Sequence, residues 1–71
     1  MARNIEATVG GQMMKRLVAV GETVTADTEV AMIESMKMHI PVIAEQAGIV
    51  AQWLVDEGAA VKEGQALLAL A

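Results

Sequence analysis

The stretch "GQMMKRLVAVGETVTADTEVAMI", residues 11–33, lies over "GIVAQWLVDEGAAVKEGQALLAL", residues 48–70, without a gap. Identities fall at Ala7/Ala44, Gly11/Gly48, Leu17/Leu54, Val18/Val55, Gly21/Gly58 and Val24/Val61. Conservative matches add Ile5/Val42, Met13/Val50, Val30/Leu67 and Ile33/Leu70. A duplicated unit outranks any local signal in deciding a fold. Two units are too few for a solenoid, which needs about three or more, so the halves are expected to pack face to face.

Each half reads as short strands. "MMKRLVAV" (13–20) and "IVAQWLV" (49–55) are β-rich runs closed by "GE" and "EG". Turn-like pieces follow at 21–29 and 57–65, then the apolar runs "VAMI" (30–33) and "ALLAL" (66–70). The best amphipathic helix candidate, Ala51 to Lys62, is interrupted by Gly58 and contains two valines. The expected class is therefore all-β: a small sandwich or flattened barrel of two four-stranded halves related by a pseudo-twofold axis. Val18, Val24, Val30, Val50, Val55, Val61 and Leu67 should supply much of its core, each burial worth about 1.5–3 kcal/mol. Trp53 matches Arg16 in the repeat, which leaves open whether the indole joins the core or sits at its edge. Gly64 stands where a turn can need positive φ; its counterpart Asp27 tolerates that region better than most residues.

Composition narrows the class. A chain of 71 residues is expected to form one domain over 1–71 and to bury roughly 60% of its unfolded surface. It is 55% hydrophobic yet has a single aromatic residue, so aliphatic side chains and methionine must build the core. With no cysteine there is no disulfide, thiolate metal site or thiol nucleophile. The N-terminal residues lack the apolar run of a signal peptide, and no stretch approaches the roughly 20 apolar residues of a membrane helix. A net charge of −4 lacks the basic footprint of a nucleic-acid binder. The expectation is a cytoplasmic protein with neither nucleic acid nor membrane as partner. Met1 lies so close to the first strand that a complete small protein is expected.

The repeat also locates "ESMKMHI", residues 34–40. The last matched strand of the first half ends near Glu34 and the next half begins near Ile40, so the chain must reverse between them. Local propensity opposes this: Val30 to Ile43 reads as one strand, with no Gly or Asn to mark a tight turn. One long strand would leave the second half no room to fold back, so Lys37 is expected on a hairpin tip. Its symmetry equivalent lies just past Ala71, which puts the tip and the two chain ends at opposite poles. An amine so displayed suits a carried group rather than a pocket.

With those residues in view, the sequence resembles the biotinyl domain of biotin carboxyl carrier proteins, in the biotin/lipoyl-attachment family. The resemblance spans nearly the whole chain and rests on "ESMKM", on "GETV" and "GAAV", on "AEQAGIV", and on the spacing from lysine to the last residue. It implies the barrel-sandwich hybrid fold and covalent biotin on Lys37. It further implies that Met36 and Met38 are read by biotin protein ligase, with Glu34 and Ser35 in the positions before them. The domain would then supply position rather than reactivity, while tethered biotin carries carboxyl groups between biotin carboxylase and carboxyltransferase subunits. Such a domain is a substrate of both half-reactions and an enzyme for neither. His39 departs from the acidic or amide residue more usual there, Asp27 replaces a frequent glycine, and no thumb insertion interrupts the first half.

Rival readings differ in what Lys37 holds. Lipoyl domains of the same fold usually place an acidic residue before the lysine, where this chain has Met36. Unmodified lipoyl-like interaction barrels generally lack the tip lysine. Lys15 in a strand and Lys62 in the "VKEG" turn read as solvated surface. One histidine without cysteine argues against a metal site. Ser35 and His39 fall on opposite arms of the hairpin with no third orienting group, which argues against a nucleophile and base. "VGGQ" (9–12) carries no phosphate-loop pattern and reads as a turn or bulge. Glu45, Asp56, Glu57 and Glu63 read as a solvated acidic face.

Overall fold

The computed structural model describes residues 3–71; Met1, on which the expectation of a complete protein was placed, lies outside the described residues. The strands are β1 (Arg3–Glu6), β2 (Gly11–Arg16), β3 (Thr23–Val24), β4 (Glu29–Ser35), β5 (Met38–Ile43), β6 (Gly48–Trp53), β7 (Ala60–Val61) and β8 (Ala66–Leu70). A shift of 37 residues carries β2 onto β6 and β3 onto β7 with identical bounds. Two antiparallel four-stranded sheets form, ordered β1-β8-β6-β3 and β5-β4-β2-β7. The same shift exchanges one order for the other, so the pseudo-twofold relates the sheets. Neither repeat makes a sheet alone, because each sheet takes two strands from each half. The body measures 33 × 19 × 18 Å.

The irregularities obey the symmetry too. The ladder slips at Met14 in β2 and at its counterpart Ala51 in β6. It slips again at Val30 in β4 and Leu67 in β8, where the extra residue strengthens the local twist and helps the sheets curl. The core is the repeat read in three dimensions: Ile5/Val42, Ala7/Ala44, Met13/Val50, Val24/Val61, Val30/Leu67 and Ile33/Leu70 are all buried. Ala31 and Leu68, also 37 apart, add a small-against-large pair.

Several expectations need correction. The run expected over 13–20 leaves the ladder after Arg16, and its partner leaves after Trp53. One further bond holds each exit, Leu17 N–H to the Val30 carbonyl (2.9 Å) and Leu54 N–H to the Leu67 carbonyl (2.8 Å). The chain then passes from one sheet to the other, and the matched leucines are exposed. Val55, expected in the core, is only partly buried, whereas Val18 is buried. Trp53 is half-buried and packs against the core from its edge. The Val18 carbonyl is bonded by that broad indole, and the Val55 carbonyl by the thinner Arg16 side chain.

Asp27 does not enter the left-handed region; Gly64 does, at φ 84°. The two turns keep the same bonds. Thr28 N–H donates to the Thr25 carbonyl and Gln65 N–H to that of Lys62. The side chain at the fourth position accepts from the first in both, Thr28 Oγ1 from Thr25 N–H and Gln65 Oε1 from Lys62 N–H. Type I and type II turns share that closure and differ in the third residue's φ, so aspartate serves where the left-handed conformation is not used.

Candidate functional site: the β4–β5 hairpin

Strands β4 and β5 pair from Glu29↔Ile43 up to Ser35↔Met38, which leaves Met36 and Lys37 as a two-residue loop. Their φ angles are 52° and 65°. Positive φ at both central residues is the mark of a type I′ turn, whose twist matches that of the flanking strands. Such turns favour Asn and Gly, and an ordinary side chain there costs about 1–2 kcal/mol. The ladder below imposes the turn against that preference.

That ladder is well anchored. Strand β4 is interior, between β5 and β2, and its Val30, Ala31 and Ile33 are fully buried. Val42 anchors β5 in the same core. At the second rung below the turn, a side chain on Gly11 would collide with the Glu34 carbonyl and crowd Ile33 Cγ2 at 3.0 Å. Glycine at this position lets β2 pass directly against β4. The repeat offered Gly11/Gly48 as an identity, but nothing in the sequence alone said what approached it.

Above this rung, Met36 is 89% exposed and Met38 59% exposed, and Lys37 between them is exposed as well. Among the described residues no ion pair involves Lys37. Its amine lies outside the body of the protein, with open solvent in place of a pocket wall. That environment fits a covalently held group reached by other proteins. Glu34 and Ser35 are half-buried at the end of β4, and Glu34 stands opposite exposed His39. Lys37 and its four neighbours of interest thus form one continuous tip.

The remaining candidates lie elsewhere. Lys15 is in β2, and Lys62 opens the β7–β8 turn. Ser35 and His39 sit on opposite arms one rung apart. Among the described residues no group of three or more His, Cys, Asp or Glu is placed to hold a metal ion. Glu45, Asp56, Glu57 and Glu63 are exposed, but two of them are not merely solvated. Asp56 pairs with Arg16 at 2.9 Å, and Glu57 Oε2 accepts the Arg16 backbone N–H at 2.9 Å. Among the described residues no helix is long and apolar enough to cross a membrane.

Fold and tip together define a class: small duplicated β-barrels that display one side chain on a hairpin turn. A family model described as "Biotin-requiring enzyme" matches residues 3–70, and the chain belongs to that family. It is 39% identical over 66 residues to the biotin/lipoyl attachment protein of Bacillus subtilis (strain 168), covering 93% of this chain and 90% of that one. It is 34% identical over 70 residues to the biotin carboxyl carrier protein of Streptococcus mutans, covering 99% of this chain and 54% of that one. Among solved structures, the Kluyveromyces lactis urea carboxylase superposes with a TM-score of 0.92 at 30% identity, covering all of this chain and 6% of that one. The chain therefore spans nearly all of one relative, about half of another and a small part of a third.

Proposed function

We infer that the chain acts as a single non-catalytic biotin carrier domain over residues 1–71. In this reading Lys37 Nζ is the attachment point, and biotin protein ligase reads Glu34, Ser35, Met36 and Met38. The loaded domain serves the biotin carboxylase and carboxyltransferase subunits of a cytoplasmic biotin-dependent carboxylase. The observation that carries this is Lys37 on a two-residue turn between two exposed methionines. Relatives named for biotin carboxyl carrying and for biotin-dependent acyl-coenzyme A carboxylation support it.

The residues divide the task. Strands β4 and β5 hold the turn rigid, so that one amine is presented in one place. Met36 and Met38 offer adaptable apolar contact to partner surfaces of different shape. The tip is read as standing at the pole away from the chain ends, supported by Arg3↔Leu70 pairing in the other sheet. Biotin, when bound, supplies the ring nitrogen that takes up and gives up a carboxyl group.

Co-expression with a biotin protein ligase, followed by a streptavidin blot, tests the reading. The wild type should give signal and Lys37→Ala none; signal in the variant, or none in the wild type, overturns it. The Bacillus relative's name keeps lipoate open on the same lysine. Intact mass after expression with each cofactor and its ligase separates the two, with biotin as the expected adduct.

A further inference from the structure

We propose that Met36 and Met38 form an oxidation site, and that their conversion to sulfoxides switches the hairpin tip from a form that can be loaded to one that cannot. The inference rests on the reading of Lys37 as the attachment point.

The observation behind it is how unevenly the methionines are exposed. Met13 is fully buried and Met32 half-buried, while Met14 is 39% exposed at the β2 bulge. Met36 and Met38 exceed all of these, and both flank the one lysine on the turn. Met36 is not there for turn formation, because it occupies a left-handed position that Asn or Gly would fill at less strain, and Met38 lies past the turn in β5. Neither is there for the core. What remains for two large apolar side chains held in water is contact with the protein that acts on Lys37.

The same exposure makes theirs the most accessible methionine sulfurs among the described residues. A thioether lone pair attacks one peroxide oxygen, the O–O bond breaks and an S–O bond forms. Sulfur is oxidised by two electrons, the peroxide is reduced, and the displaced hydroxide takes the remaining proton to leave as water. The product is polar and chiral where the thioether was apolar and flexible. A pocket that accepts methionine must then desolvate a sulfoxide oxygen without a partner for it. A dithiol-dependent methionine sulfoxide reductase reverses the change, returning the oxygen as water while its thiols become a disulfide. The tip so built is reversible, and the core methionine is spared.

The experiment treats the folded chain with graded hydrogen peroxide and maps the sulfoxides by peptide mass. It then measures the rate of biotin transfer by a biotin protein ligase. Met36 and Met38 should gain oxygen well before Met13, and transfer should slow by about tenfold or more, the discrimination a hydrophobic pocket makes over one small group. Methionine sulfoxide reductases A and B together, one for each sulfoxide epimer, should restore the rate. The M36L/M38L variant retains every other methionine, so its rate, whatever its starting value, should not change with peroxide.

Oxidation of Met13 in step with the tip, an oxidised chain loaded at the original rate, or a loss the reductases do not reverse would each overturn the proposal. Failure of the untreated wild type to load overturns the carrier reading, and this one with it.

Discussion

Arg16 and Trp53 occupy the same position in the two repeats and meet across the pseudo-twofold, the guanidinium carbon 5.3 Å from the centre of the indole ring. Each also donates to the carbonyl of a matched valine. Trp53 Nε1–H bonds Val18 O at 3.0 Å, and Arg16 Nη2–H bonds Val55 O at 2.7 Å. Two unlike side chains thus perform one symmetrical task, bracing the segment that leaves the barrel in the opposite half.

This brace predicts an asymmetry between the partners of Arg16. Arg16→Ala removes the stacking and a charged hydrogen bond, and should destabilise the fold by about 1–2 kcal/mol. Asp56→Ala should change stability by less than about 0.5 kcal/mol, because an ion pair with a carboxylate 95% exposed contributes little in water. Urea denaturation followed by far-ultraviolet circular dichroism measures both. Tryptophan fluorescence is a poor probe here, since removing Arg16 alters the surroundings of the indole.

Gly11 and Gly48 match in the repeat but face different neighbours. A methyl group on Gly11 meets the Glu34 backbone, which cannot yield without moving β4. Gly11→Ala should therefore cost about 1–3 kcal/mol, the range for overpacking, and shift the backbone amide resonances of residues 34–39. A methyl on Gly48 meets the end of the Arg3 side chain at 2.7 Å and the Leu70 side chain from 3.1 Å. Arginine can swing aside, so Gly48→Ala should cost less and leave the hairpin resonances in place. Equal costs, or hairpin shifts in both variants, would contradict the buttress assigned to Gly11.

The strained turn separates stability from loading. Met36→Asn puts a residue suited to φ 52° at the first turn position and should stabilise the fold by about 1 kcal/mol. If the ligase reads Met36, the same change should slow biotin transfer by about tenfold. A variant both more stable and loaded at the wild-type rate would remove Met36 from the recognition surface.

Asp27 and Gly64 predict losses of stability by two different routes. Gly64→Ala forces a side chain into φ 84° and should cost about 1 kcal/mol. Asp27→Gly gains nothing, since that position does not use the left-handed region, and should lose about 0.4–1 kcal/mol through the freer unfolded chain. Thermal unfolding of the two variants side by side decides this.

Much of the fold was legible in one dimension because the duplication is written there. Each pair of core residues 37 apart reads as apolar in both copies, and burial follows from that pairing at Ile5/Val42, Met13/Val50 and Ile33/Leu70. The hairpin was legible for the same reason: the second copy has to begin again after Glu34. Val55 was misread because alternation predicts which way a residue points, not how wide its neighbour is. Asp27 was misread because two turn types share one set of hydrogen bonds and differ only by a flip of the central peptide.

The sequence by itself determined the all-β class, the period, most of the core and the place where Lys37 had to stand. Those follow from hydrophobic pattern and chain length, which are properties of the string. Only the tertiary structure decided that each sheet would mix strands from both halves, that Met36 and Lys37 would take left-handed backbone, and that Gly11 would lie against Glu34. These arise where segments distant in sequence press on each other. There, a closed ladder over a buried core outweighs the roughly 1–2 kcal/mol by which a residue prefers another conformation.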